Sequence, residues 1–506
     1  MYSFGLYFQD QLRVSSKLKL TLALRADRNS GGKCQTDCTS LSAVPFNLLD
    51  HSSTGSLYAS PQGSILRSVE KVVFQPRFGF AWTPWGQNTV LRGGVGLFTD
   101  LYPGTILDNY TTNFPQVNSI SLAAGAINPA DSNSGANIVL QCNSNPAGNS
   151  ACAGVAPPLY DVVGRLRNPK YTEWNLELQH TFGRNLAASV NYVGNRGTDL
   201  LLINPYLNAY GFGSLPAAAV DSRVATVQQL TNNGHSNYNG LTASIRQNTW
   251  HGFSGQFSYT YSHALDNVSN GGILPYSLNN SILTQIDPQN PNASYGSADY
   301  DLRHQFSANY VWDLPIRIES HHLLNSLVGG WQVSGTVFRR TGFAFSLVDG
   351  LTASHLQNNN MVSNGSPVVT VLAQPLPGSS IPLSCGATAI NTATPCFSPS
   401  QFATSNNVTG FIGSLGRNAL RGPGYFNTDL SLKKTIKLNE RMGLTIGANA
   451  FNVLNHPNFQ NPVANLASSS FGRIVSTVSS PTTPYGAFAS AAEGMRILQL
   501  VAKITF

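Results

Sequence analysis

The ten residues FSGQFSYTYS (253–262) constrain this chain more than any other feature, because they alternate strictly between apolar and neutral-polar side chains. Phe253, Gly255, Phe257, Tyr259 and Tyr261 fall on one face of an extended strand; Ser254, Gln256, Ser258, Thr260 and Ser262 fall on the other. The pattern recurs elsewhere. Trp174, Leu176, Leu178 and Phe182 oppose Glu173, Asn175, Glu177 and Gln179; Phe306, Ala308, Tyr310 and Trp312 oppose Gln305, Ser307 and Asn309; Leu444, Ile446 and Ala448 oppose Thr445, Gly447 and Asn449. About thirteen segments of roughly 10 to 14 residues follow it, a length suited to crossing a bilayer at a tilt. A soluble sandwich directs Lys and Glu away from its core, whereas here the second face carries Ser, Asn, Gln and Thr, as a water-filled lumen would.

Composition supports the same reading. Charged residues are 10% of the chain and hydrophobic residues 42%, with a mean hydropathy of -0.09, so neutral polar residues supply the polarity. No apolar run approaches the roughly 20 residues that a transmembrane helix needs. A membrane location therefore implies strands that close their own hydrogen bonds: an all-β fold, a transmembrane antiparallel β-barrel. The net charge of +7 is scattered along the chain, which describes a cationic surface and no nucleic-acid footprint. Trp82, Trp85, Trp174, Trp250, Tyr310, Trp312 and Trp331 lie near segment ends, where interfacial girdles place such rings.

The connections sort into two classes. Short turns are expected at Ser15-Ser16, 84–87, Gly183-Arg184, 250–252 and 439–441, with an intermediate one at 315–329. Long loops alternate with them at about 29–71, 100–168, 198–236, 265–298, 345–424 and 456–493. That asymmetry is expected of outer-membrane barrels, with tight periplasmic turns and extended extracellular loops. Six cysteines fall in three close pairs, Cys34 with Cys38, Cys142 with Cys152 and Cys385 with Cys396, all inside long loops. Metal binding would call for nearby histidines or C-x-x-C spacing; local disulfides in an oxidising compartment fit better.

The last segment, RILQLVAKITF (496–506), places Leu498, Leu500, Ala502, Ile504 and Phe506 on one face and ends the chain on an aromatic. It is expected to close the barrel by pairing with the first strand, leaving no free edge, and to carry the barrel-assembly signal. MYSFGLYFQDQLRV (1–14) has no basic, apolar or cleavage region of a signal peptide. An odd strand count starting at the outer surface predicts that earlier strands precede this chain.

The blocks DYDLRHQFSANYVWDLP (299–315), GPGYFNTDLSLKKTIKL (422–438) and GANAFNVLNHPNFQNP (447–462), with the closing Phe506, resemble the barrel of TonB-dependent outer-membrane transporters of the Oar-like kind. The resemblance implies that residues 1–506 are the C-terminal portion of a 22-strand barrel, strands ten to twenty-two, without the signal peptide, TonB box, plug and early strands. It implies active uptake of a scarce solute across the outer membrane of a Gram-negative-type bacterium. The implied partners are outer-membrane lipid, the missing N-terminal plug, the TonB complex acting through that plug, the barrel-assembly machinery, and a small solute, glycan or peptide ligand; nucleic acid is not among them. A passive porin or barrel adhesin, and a secreted soluble β-rich binding protein, are the competing classes.

No catalytic signature accompanies this pattern: H-E-x-x-H, G-x-S-x-G and Walker sequences are absent, so neither an enzyme nor a cofactor or metal site is expected. Gly93, Gly94 and Gly96 sit inside an alternating segment and read as wall glycines, not a phosphate loop. His321-His322 reads as a solvated pair. Arg339-Arg340 and Lys433-Lys434 each put one charge on either face, the outward one free to snorkel. Glu173, Glu177 and Arg246 are the lumen-facing candidates for contact with a solute or a plug, and His456-Pro457 ends the penultimate strand.

Overall fold

In the computed structural model the described residues are 2–33, 41–42, 44–52, 66–101, 109–113, 158–204, 206–211, 215–267, 269, 291–316, 328–350, 362–363, 366–367, 372–386, 395–403, 413–438, 442–478 and 495–506. Alternation becomes a wall of thirteen long strands. These are β1 (Ser3–Arg13), β2 (Leu18–Asn29), β3 (Val73–Trp82), β4 (Thr89–Thr99), β5 (Lys170–Phe182), β6 (Leu186–Asn204), β7 (Val227–Trp250), β8 (Phe253–Asp266), β9 (His304–Asp313), β10 (Trp331–Arg340), β11 (Tyr425–Lys437), β12 (Gly443–Phe451) and β13 (Ile497–Thr505). Each pairs antiparallel with its neighbours in this order. No helix among the described residues is long and apolar enough to cross a membrane.

The register fixes what shares a face. Ile245, Phe257, Ala308, Val337 and Thr428 are opposite one another across β7 to β11, and Ser244, Ser258, Ser307, Phe338 and Asn427 form the adjoining row on the other face. Large apolar side chains on the first face stay exposed, among them Phe78, Val95, Leu176, Val190, Leu241 and Ile245. The described hydrophobic cores lie in the connections. One gathers Leu41, Leu66, Tyr110, Val162 and Leu166 against the outer ends of β6 and β7; another gathers Phe345, Leu347, Phe397, Phe402 and Phe471. The molecule thus inverts a soluble domain: its wall exposes apolar surface while its loops bury theirs.

Short connections mark one rim. At 251–252, His251 (φ 47°) and Gly252 (φ 77°) are both left-handed, the conformation a tight two-residue hairpin needs, and Asp313 N–H donates to the Gly252 carbonyl at 2.9 Å. Turns also follow β1, β3 and β5, with left-handed glycines at Gly86 and Gly183. The expected turn at 439–441 lies outside the described residues.

Two expectations need correction. The loop placed at 198–236 is only 205–226, because β6 and β7 run 19 and 24 residues. Leu201 to Ile203 and Val227 to Thr231 are buried on both faces by the loop layer, so their sequence shows a continuous apolar or amide run and no alternation. Among the described residues β13 pairs with β12 and β1 with β2, so the thirteen strands do not close on themselves. Alternate strands run in the same direction, so strands one and thirteen point the same way and an antiparallel ladder between them is impossible. Tyr310 belongs to the middle of the wall and not to a girdle; it stands opposite Gly255 and Gly335, with its ring over Gly335.

Candidate functional site

The polar face is the candidate site, and strand pairing assembles it. Arg246, Gln256, Asn309, Thr336 and Asp429 form a row across β7 to β11, and Ser431, Lys433 and Asn449 extend it toward β12. They line a trough of about 790 Å³. Hydroxyls pair across the strands here: Thr242 with Thr260 at 2.9 Å, Ser244 with Ser258 at 2.9 Å, and Ser431 to Asn449 Oδ1 at 2.7 Å. Asp429 is held by three donors, the Thr336 hydroxyl (3.2 Å), Asn427 Nδ2 (3.0 Å) and the Asn452 N–H (2.9 Å). Arg246 and Lys433 have no ion-pair partner among the described residues.

The other half of this face, on β2 to β5, is charged and internally paired. Arg25 Nε donates to Asp27 at 2.7 Å, Gln75 Nε2 donates to the same carboxylate, and Arg77 stacks 4.1 Å from the Phe98 ring. Arg92 is 3.7 Å from Glu177 and donates to Gln179 at 3.1 Å. Asn195 donates to Glu173 at 2.9 Å. Glu173, Glu177 and Arg246 therefore share one face but do not converge: Glu177 is opposite Asn191, while Arg246 pairs with Ala187, nearer the short-turn rim. The Arg25–Asp27–Gln75–Arg77 cluster escaped the sequence reading, although period-two counting along LALRADRN (22–29) puts Arg25 and Asp27 on one face.

The remaining candidates fall as follows. Leu498, Leu500, Ala502 and Ile504 are opposite Ala450, Ala448, Ile446 and Leu444 on the apolar face, and Phe506 lies one residue past β13, exposed. Cys385 and Cys396 form a disulfide with Cα atoms 5.9 Å apart, inside the second loop core. Cys34, Cys38, Cys142, Cys152, His321 and His322 lie outside the described residues. Gly93 to Gly96 are in the β4 ladder, with the Phe80 ring over Gly93. Lys434, on the apolar face, donates to the Gly329 carbonyl at 2.8 Å beside the Trp331 ring. Arg340, on the polar face, is buried with its guanidinium 4.0 Å from the Phe343 ring and 5.2 Å from the Tyr425 ring.

At the long-loop rim the residues just before the second resemblance block hold the first block, and the second block holds the third. Arg421 holds Asp301 through both its carbonyl (2.7 Å) and its carboxylate; Asn418 Nδ2 donates to Asp299 at 2.6 Å. Asn458 accepts from the Phe426 N–H at 2.8 Å and donates back to its carbonyl at 2.9 Å. These residues do structural work, fixing loops to strand ends where backbone groups leave the ladder. Among the described residues no group of three His, Cys, Asp or Glu could hold a metal ion.

A one-layer wall with lipid-type side chains on one face and hydroxyls, amides and paired charges on the other is a transmembrane β-barrel wall. The chain belongs to the outer membrane beta barrel domain family, whose model matches residues 1–499. Among solved structures it is similar to the outer membrane transporter YddB from Escherichia coli (12% identity, 99% of this chain and 45% of that one, TM-score 0.44). It is also similar to the copper transporter OprC (11%, 100% and 48%, 0.41) and to the FrpB iron transporter from Neisseria meningitidis (10%, 99% and 44%, 0.43). The chain spans less than half the length of each. No curated protein matches it.

Proposed function

We propose that this chain is the lumen-bearing wall of a TonB-dependent transporter, taking up a scarce solute across the outer membrane with energy from the inner membrane. The observation that carries the reading is the polar face. It continues from strand to strand; on one half Arg25 pairs with Asp27 and Arg92 with Glu177, and the other half, carrying Arg246, Lys433 and Asp429 among hydroxyls and amides, opens as a trough of about 790 Å³. Hydroxyl and amide rows exchange hydrogen bonds with a passing solute without trapping it, and Glu173, Glu177 and Arg246 supply charges to a plug or a ligand. The three rim blocks named above support the transporter class over a general porin.

Energy dependence decides between the two. In cells producing this protein, uptake of its solute is expected to stop when a protonophore collapses the inner-membrane gradient, with the outer membrane intact. Uptake that continues at the same rate, following the solute gradient alone, identifies a passive porin and removes this proposal.

A further inference from the structure

We infer that the solute crossing this wall is an anion, drawn toward the short-turn end of the lumen by cations that the wall leaves uncompensated. The inference rests on the polar face lining a lumen, as proposed above, and not on how transport is energised. Register and turn positions place five cations on that face, each no more than four residues from the short-turn end of its strand. Arg13 and Lys19 are directly opposite each other on β1 and β2. Arg246 on β7 is opposite Gln256, Lys433 on β11 is opposite Gln332 and Gly447, and Lys503 on β13 is opposite Thr445.

None of the five has an ion-pair partner among the described residues. The carboxylates nearest in the register are engaged elsewhere: Arg92 takes Glu177 at 3.7 Å, and Gln332 donates to Asp313 at 2.8 Å. The long-loop rim is built differently. There Arg67 meets Asp161 at 2.8 Å, Arg417 meets Asp266 at 2.7 Å and Lys170 meets Glu70 at 3.0 Å. Arg13 facing Lys19 sharpens the contrast, because like charges directly opposite on paired strands oppose the pairing. A neutral pair there would give a more stable hairpin, so the wall carries this charge at a cost to its own stability.

Charge and spacing define the class of solute. Cations lining a passage walled by protein and lipid focus their field into it and raise the local concentration of an anion on the order of tenfold. A cationic solute is repelled there, and a neutral one gains nothing. Gln256, Asn309, Thr336 and Ser431, between Arg246 and Lys433 in the trough, offer hydrogen bonds to a carboxylate, phosphate or sulfate. The cations are spread over β1, β2, β7, β11 and β13, an arrangement that acts on a moving charge through its field and does not clamp one fixed group.

The test uses the protein in bilayers with a spin label at Asn309→Cys, on the polar face of β9 between Gln256 and Thr336. Collisions of the label with a neutral nickel chelate are compared with those of the chromium oxalate trianion. At about 20 mM salt the trianion is expected to be enriched about fivefold over the neutral chelate, and at about 500 mM salt to approach parity. Arg246→Gln combined with Lys433→Gln is expected to lower the enrichment at least about twofold, while Arg167→Gln, at the long-loop rim, leaves it unchanged. Folding is read separately from heat-modifiable gel mobility. If the double variant does not fold, Lys433→Gln alone and the salt series in the unsubstituted protein carry the test. Parity at low salt, the result if a fixed acidic surface neutralises these cations, overturns the inference, as does enrichment unmoved in the folded variants. Exclusion of both probes overturns the lumen on which it rests. Anion uptake that persists under a protonophore removes the energised transporter and leaves the anion preference standing.

Discussion

Asp301 shows how much a single buried carboxylate organises. It accepts from Arg421, from the Ala264 N–H at 2.7 Å and from His263 at 3.2 Å, and so ties the end of β8 to the loop that leads into β11. Asp161 is its counterpart in the first loop core, accepting from Arg67 (2.8 Å), Ser42 (2.9 Å), the Phe46 N–H (2.8 Å) and Gln229 (2.7 Å). Removing one partner of such a pair leaves the other charge buried. Asp301→Ala is therefore expected to cost about 3–5 kcal/mol locally, read as lost amide-exchange protection over 296–303 and 418–424 while β2 to β5 are unaffected. Its pH dependence follows from the same contacts. Burial opposes ionisation of Asp301, but the hydrogen bonds from Arg421, Ala264 and His263 outweigh it and hold the carboxyl below its ordinary value of 3.8. A lowered carboxyl contributes fully above the unfolded value and loses that contribution as pH falls through the folded one. Protection of the rim is expected to stay flat from pH 7 to about 5 and to decline only below 3.8.

At the scale of the strand, faces matter more than residue identity. Ile245 and Ser244 are neighbours in β7, yet Ile245 joins the Phe257–Ala308–Val337 row and Ser244 the Ser258–Ser307 row. Ile245→Arg is expected to destabilise the folded state in lipid vesicles by about 2–4 kcal/mol, and Ser244→Arg by less than about 1 kcal/mol, in urea titrations followed by tryptophan fluorescence. Equal costs would contradict the assignment of faces. This part was legible in the sequence: the alternation in β8, β9 and β12 states which side chains share a face, and the turn residues state where strands reverse. The outer halves of β6 and β7 were not legible, because LLLIN (200–204) and VQQLT (227–231) are covered on both sides by loops and so lose the period. The polar knots were hidden for another reason. Asp161 meets Arg67 across 94 residues and Arg421 meets Asp301 across 120, separations that carry no local signal. Of the site, the polar face could be read from period two, but not which of its charges pair with one another.

On the scale of the whole molecule, the wall divides two environments and the described parts of the long connections pack into cores at one rim. That arrangement accounts for an exposed apolar face coexisting with buried loop cores such as Phe345–Phe397–Phe471 and Leu166–Val162–Tyr110. It also predicts opposite responses to removal of lipid: the wall loses the solvent for its apolar face, while the loop cores keep theirs. The most direct measurement is spin-label accessibility scanned along 241–246 of the chain in bilayers. Labels at Leu241, Ala243 and Ile245 are expected to collide mainly with lipid-soluble oxygen, and labels at Thr242, Ser244 and Arg246 mainly with a water-soluble nickel chelate, in strict alternation. Aqueous accessibility that is uniform along the segment, or alternation with the two faces exchanged, would contradict a wall whose apolar side touches lipid.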